Sequence, residues 1–484
     1  MTDTPSAGPL RDMVRSVDNA RRAAGWGGKA LLVCFMALLM AIPGLFVFSL
    51  VSERTHRADG VTAEVSALQG GPQRVLGPIL VVPFETRNKK GDAEEGWYVV
   101  SPEFGTARGE VKTRSLHRGI FDVPVYDATV DMEARFSPPA EPANLPAAAR
   151  IDWSRARIVV GFSDLRGAKD DVVAVLRDAK GETRLAFAPA SGMALGNPQD
   201  EVDLSSPAAT GGSGNRFGFV EAPGAAIVDA GAGGTLQMRL HFSGAKRLSL
   251  MPFAKSTRFE MHGDWASPSF DGAFLPATRH IASGRFDAAW SVPFIARGLA
   301  DRGDTGAISV SALAAKDLGV TFARANNPYE NVSRALKYAV MFTGLVFLTF
   351  FVFEALSGKR VHPAQYLLIG LAQTVFYLLL LSLSEYVGFD VAFACAAGAT
   401  VALIGFYAGW AFGSVNYRMR ALLIFSAVYG LIYLLMRLED FALLAGSIAS
   451  FLGLSTAMYL TRNLEWYAGR PSPVAVTAPG ADHG

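Results

Sequence analysis

Charged side chains at the ends of long apolar runs are where this sequence would place chemistry. Lys337, Glu354 and Glu385 each border such a run. An ionised group at mid-bilayer costs at least about 2.5–3.5 kcal/mol, so a charge kept near the hydrocarbon marks a pairing or a functional site. Glu354 lies close in sequence to Lys359 and Arg360, and a pairing there is the plainer account of it. Glu385 follows Ser382 and Ser384, and would serve as a helix-end contact or as an ion-binding acid. Gln365 and Gln373 are eight positions apart on one helix face, suited to bonding across helices inside a bundle. In a polar stretch upstream, Trp265, Pro268 and Phe270 form an aromatic-proline loop. It would plug one end of a β structure or, failing that, offer a docking surface.

These groups do not assemble into a reaction. The sequence has no phosphate-cradling Gly-x-x-x-x-Gly-Lys-Ser/Thr and no His-Glu-x-x-His. Gly453-Leu-Ser455 lacks the second glycine of a nucleophile elbow, so Ser455 reads as small-residue packing, as do Gly370, Gly398, Gly409 and Gly446. The His residues are scattered, and Cys34 and Cys395 both lie in apolar runs, so neither a zinc site nor a disulfide framework is expected. Catalytic, cofactor and metal residues are therefore expected to be none, and the chain is not expected to be an enzyme. Net charge of +2, from 45 basic and 43 acidic residues, provides no basic face for nucleic acid.

The elements that must position these residues are mostly membranous. Charged residues make up 18% of the 484 residues, against about 25% in soluble domains, and the apolar weight is concentrated at two places. One run, Lys29–Val51, precedes a polar middle and contains Pro43-Gly44 as an expected kink; it reads as an uncleaved anchor. Five more follow: Ala335–Leu356, Ala364–Ser384, Gly388–Phe412, Met419–Met436 and Phe441–Leu460. Lys and Arg cluster before the first run, between the second and third, between the fourth and fifth, and after the last. That distribution puts both termini in the cytoplasm and the polar middle across the membrane, in the periplasm of a two-membrane cell. Leu10, Met13, Val14 and Val17 keep helical spacing in a short basic segment that would lie on anionic lipid.

In the polar middle, Val61, Val65 and Leu68 keep helical spacing until Gly70-Gly71-Pro72. Short β-type runs then alternate with Gly, Pro, Asp and Ser, and Asp178–Glu182 reads as a hairpin turn. The expectation is a predominantly antiparallel sandwich or two packed sheets, with loops at Ser137–Ala149 and Ser205–Asn215. The fold class is thus a membrane α-helical protein of about six transmembrane helices plus a large periplasmic mainly-β domain. Its divisions are a basic segment at 1–28, an anchor at 29–51, a β-rich domain at 52–333, a five-helix bundle at 335–461 and a tail at 462–484.

Several blocks, in one order along the chain, carry a family resemblance. They include Gln73-x-x-x-Gly77-Pro78, Arg118-Gly-Ile-Phe-x-Val-Pro-Val-Tyr126, Ser163-Asp-Leu-Arg-Gly167 and Asp264-Trp-Ala-Ser-Pro-Ser-Phe270. Membranous blocks follow: Arg334-Ala-Leu-Lys-Tyr338, His362-Pro-Ala-Gln-Tyr-Leu-Leu-Ile-Gly370 and Phe376–Glu385. Together they resemble the CreD family of bacterial inner-membrane proteins. Tyr386 stands where that pattern has His, which argues against a catalytic role just after Glu385. The resemblance implies an inner-membrane location and a role in envelope integrity and stress, without an assigned reaction. Membrane lipids are the expected partners, with envelope proteins or a second copy of the chain beside them. The alternative is a transporter or lipid-handling, insertase-like protein using a cavity between the bundle and the periplasmic domain.

Overall fold

A computed structural model describes residues 25–87, 92–119, 121–138, 142–145, 149–190, 217–229, 233–322, 328–357, 359, 361–437 and 442–462. The basic segment around Leu10–Val17, the loop at Ser205–Asn215 and the tail from 463 onward lie outside the described residues, as do parts of the loop at Ser137–Ala149. The chain divides into a helical unit, residues up to 56 and from 326, and a β unit, 57–325.

In the helical unit, α1 (Gly25–Leu39) and α2 (Ala41–Leu68) form one long rod interrupted at Met40. The break has a local cause. Pro43 has no N–H for the carbonyl four residues back, and its ring crowds that same carbonyl, on Leu39. The kink expected at Pro43-Gly44 therefore falls three residues earlier, where the ladder fails. Next come α3 (Pro328–Lys337) and α4 (Ala339–Ser357), with α3 burying Tyr329, Val332 and Ala335 while Lys337 stays exposed. The apolar run expected from Ala335 thus begins at Ala339, after this amphipathic lead-in. The others are α5 (Pro363–Val387), α6 (Phe389–Phe412), α7 (Val415–Arg437) and α8 (Ala442–Thr461). Among the described residues, five helical stretches are long and apolar enough to cross a membrane: Gly28–Leu68, α4, α5, α6 and α7. The helix α8 occupies the place of the sixth expected run.

Glycines set how closely these helices approach, though not at every expected position. A Cβ on Gly370 would lie 2.5 Å from Sδ of Met40, and one on Gly409 2.8 Å from Cβ of Arg418, so both are notches for a neighbouring helix. Gly398 faces open space and Gly446 touches only Leu435 at 4.0 Å, so neither is a close contact.

The β unit consists of a ten-stranded and an eight-stranded sheet sharing one apolar core. Rings cross between the layers: Phe162 meets Phe242 at 5.9 Å, and Phe270 meets Phe286 at 6.0 Å. The expected hairpin turn is present, with Asp178 paired to Gly181. Most pairings are antiparallel, but each sheet carries a parallel one, Gln73–Leu76 with Leu248–Met251 and Phe104–Val111 with Ser256–Gly263. Alternating burial tells which face of a strand is inside, not the direction of its partner, so these pairs are invisible to period-two reasoning. The strand Phe104–Arg118 does not stand out as a β-type run in the sequence. Its inward positions begin with Gly105, Ala107 and Gly109, too small for an apolar signal. The ring of Phe253 fills that space, 2.6 Å from where a Cβ on Gly105 would be. The last turns of α2, from 57 onward, belong to this unit, and Val65 packs with Val123, Val125 and Ala245.

Candidate functional site

Glu354 ends α4 fully buried and is the most enclosed carboxylate in the helical unit among the described residues. Its Oε1 accepts from the ammonium of Lys29 and from the N–H of Val361 at 2.8 Å; its Oε2 accepts from the Tyr366 hydroxyl at 2.9 Å. Lys29 also donates to the carbonyl of Val361 at 2.9 Å. The carboxylate thus joins α1, α4, the α4–α5 turn and α5. A buried charge is tolerated only when paired and multiply bonded, and this one is both.

The pairing expected with Lys359 and Arg360 is not the one formed. Lys359 instead donates to the carbonyl of Phe412 at 2.7 Å, at the C-terminus of α6, where a cation meets the helix dipole; Arg360 lies outside the described residues. Lys29 was masked in the sequence because a lysine before a first span already has an explanation as a cytoplasmic flank.

Glu385 lies in the last turns of α5, where the helix dipole opposes a negative charge. Its Oε1 accepts from the Tyr329 hydroxyl of α3 at 3.0 Å, and Arg54 of α2 stands 3.9 Å away. Arg54 is 40% exposed, so this contact is the weaker of the two clamps. Lys29 and Arg54 are 25 residues apart, which at 1.5 Å per residue corresponds to about 37 Å of helix. They therefore engage the bundle at well-separated levels of the first rod.

The two glutamines part ways. Gln365 turns back and its Oε1 accepts from the N–H of His362 at 2.9 Å, while the His362 ring accepts from Ala364 N–H at 3.2 Å. With Pro363 at the first helical position, this is a capping box that starts α5, so Gln365 is spent on the helix end. Gln373 is buried in the bundle.

In the β unit, Trp265 packs edge-on against Phe322 at 6.2 Å. Pro268 opens the strand Pro268–Gly272, which pairs with Leu318–Phe322 and sets Phe270 against Phe286 and Trp290. Trp290 Nε1 then donates to the carbonyl of Phe274 at 3.1 Å. Trp265, Phe270 and Phe274 are partly buried against the main core, which is the geometry of a closed sandwich end.

Two polar clusters in this unit escaped sequence reasoning, because their members come from segments far apart in the chain. Asp317 accepts from Arg247 Nη1 at 2.7 Å, Arg247 Nη2 at 3.2 Å and Arg74 Nε at 2.8 Å; Arg247 Nε also reaches Asp271 at 2.8 Å. Burial pushes the Asp317 carboxyl up, but the bonds and charges of Arg247 and Arg74 outweigh it and hold the group below its ordinary range. At the other cluster, Arg297 is fully buried and donates Nη2 to Ser101 Oγ at 2.9 Å, and burial pulls its guanidinium down to about 10. The motif blocks also meet in space. Gln73 Nε2 donates to the carbonyls of Gly70 at 2.6 Å and Asp164 at 3.0 Å, and Ser163 Oγ donates to Pro72 O at 2.7 Å.

The family described as "Inner membrane protein CreD" matches residues 26–467. This chain belongs to the CreD family. The matched stretch takes in both ion-paired glutamates of the bundle and both sheets, and it bears out the resemblance carried by the motif blocks. Inner membrane protein CreD of Escherichia coli (strain K12) is 29% identical over 450 residues, 89% of this chain and 91% of that protein. With helices of crossing length and this kinship, the chain is a membrane protein with a large β-rich part.

Proposed function

We propose that this CreD-family protein maintains the integrity of the cell envelope under stress through lipid or protein contacts, with no catalytic step. In this reading both termini are cytoplasmic, and the β unit is a periplasmic module carried on the helical unit. The observation that supports it most is the state of Glu354. A carboxylate bonded at once to Lys29, Tyr366 and Val361 is committed to holding helices together and is not free to carry a proton or an ion. Trp265, Pro268 and Phe270 act as the plug of the sandwich, and Glu385 acts as a helix-end contact. Envelope proteins or a second copy of the chain are the proposed partners besides lipid.

A recess in the helical unit bears on the transporter or lipid-handling alternative. It measures about 130 Å³ and is lined by Met341, Phe342, Leu345, Leu431, Ser450 and Leu454. Its lining is nearly all hydrocarbon, which favours a scaffold over a route for a polar headgroup.

The location is tested by accessibility in a background lacking Cys34 and Cys395. An impermeant maleimide added to intact cells is expected to label Ile295→Cys, at a site 92% exposed, and to label Val415→Cys only after permeabilisation. Equal labelling of both in intact cells would refute the topology. For the role itself, cells lacking the chain should lose survival under detergent or osmotic challenge and regain it with the wild type. Restoration by Glu385→Gln is expected too; unaltered survival without the chain would remove the envelope reading.

A further inference from the structure

At one edge of the eight-stranded sheet, the strand Thr278–Ala282 pairs with Arg285–Val292 and, among the described residues, with nothing on its other side. All five of its residues are exposed. The cause lies in the layering of the sandwich. Pro268–Gly272 is the last strand of the ten-stranded sheet, and its Phe270 packs on Phe286 and Trp290 at 6.0 and 5.9 Å. The facing layer therefore ends over Arg285–Val292, and Thr278–Ala282 overhangs it. Arg279 and Ile281 stand opposite Ala288 and Phe286, on the face that is core in the neighbouring strand, yet Ile281 is 48% exposed.

The turn decides which backbone groups are free. Ser283 and Gly284 have φ of 52° and 76°, the two-residue hairpin turn that closes on a hydrogen-bonded pair, here Ala282 with Arg285. Bonded and unbonded pairs alternate along an antiparallel ladder, so His280 and Thr278 also spend their groups within the hairpin. The N–H and C=O of Arg279 and Ile281 point away from the sheet. An extended segment laid along them gains main-chain bonds, the way sheet edges recruit peptides. Open edges are commonly guarded by charge, and here the guard selects. Arg279, His280 and Arg285 are exposed around the free groups, and neither arginine has an ion pair among the described residues. The neighbouring carboxylate of Asp287 is already engaged by His262. Two copies joined along this edge would set the cations against one another, whereas acidic side chains would neutralise them. We propose that Thr278–Ala282 takes up an extended acidic segment of another envelope protein as an added strand, with an apolar residue of that segment covering Ile281. This rests on the protein-contact reading above and names where the contact is made.

Binding is read by fluorescence anisotropy with the full chain in detergent and a short labelled peptide alternating valine with glutamate. That peptide should bind, and its counterpart alternating valine with lysine should bind about tenfold or more weakly. Hydrogen exchange should slow at the amides of Arg279 and Ile281 when the acidic peptide is present. Ile281→Pro removes an outward N–H without touching the hairpin ladder, a change that edge strands tolerate. It should keep the circular dichroism of the wild type and weaken the acidic peptide about tenfold or more. Arg279→Glu/Arg285→Glu should exchange the preference between the two peptides. Absence of binding by the acidic peptide, or binding unaltered in Ile281→Pro, would overturn the proposal. So would a wild-type dimer in light scattering that Ile281→Pro separates, since the edge would then belong to a second copy. Survival of cells under envelope challenge is a separate readout: if it depends on the chain while the peptide fails to bind, the edge is wrong and the envelope role stands.

Discussion

Removing one partner of the Lys29–Glu354 pair should cost very different amounts depending on which partner goes. Glu354 has a side chain 1% exposed, whereas that of Lys29 is 20% exposed at the start of the first rod. Lys29→Met strands a buried carboxylate whose remaining donors are Tyr366 and the Val361 N–H, and stranding a buried charge costs about 3–5 kcal/mol. Glu354→Gln keeps an oxygen to accept from the Val361 N–H, turns an amide N–H toward the Tyr366 hydroxyl, which can accept it, and frees an ammonium that can reach the headgroups on its flexible stem. Its cost is correspondingly about 1–2 kcal/mol. At about 2–4 °C per kcal/mol, Lys29→Met should lower Tm by about 10 °C and Glu354→Gln by about 2–8 °C. The decisive variant is Lys29→Met/Glu354→Gln, which removes both charges and keeps the acceptor. It should be more stable than Lys29→Met alone, a positive coupling read from the double-mutant cycle. The assay is thermal unfolding of the full chain in nanodiscs, followed by tryptophan fluorescence. If Lys29→Met is neutral, or the double variant equals the sum of the singles, the two side chains do not pair and the clamp is wrong.

Asp317 should govern part of the acid sensitivity of the β unit. Its carboxyl is held below its unfolded value, so its stabilisation is complete above about pH 4 and fades as pH falls through the depressed folded value. Asp317→Asn should therefore lower Tm at pH 7 and flatten the acid limb, as read by circular dichroism; an unchanged acid limb would contradict the network. At the helix notch, a Cβ on Gly370 would meet Met40 Sδ at 2.5 Å and Phe347 Cζ at 3.1 Å. Gly370→Val should cost about 1–3 kcal/mol and Gly370→Ala less, because the methionine can bend away. Adding Met40→Ala should relieve Gly370→Val, and failure to do so in the same unfolding assay would refute the close packing.

Much of the architecture was legible because it rests on local patterns. Long apolar runs need no partner to be recognised, and the capping box at His362–Gln365 was present in the motif His-Pro-Ala-Gln, although its glutamine had a different expected use. The hairpin at Asp178–Gly181 was equally local. The strand Phe104–Arg118 was not legible, since its inward glycines make sense only beneath residues distant in the chain, Gly105 under Phe253 and Gly109 under Phe259 and Met261. Composition and periodicity by themselves determined a membrane protein with apolar helices and a large β-rich part, because hydrophobic burial acts on segments. The choice of partners belonged to the tertiary structure alone. Glu354 takes Lys29 across 325 residues although Lys359 lies five positions away, and Arg247 holds Asp317 across 70 residues as well as Asp271 across 24. The reason is physical: a buried charge is bound by whatever donor the fold brings within about 3 Å, and chain separation does not enter the Coulomb and desolvation terms that decide it.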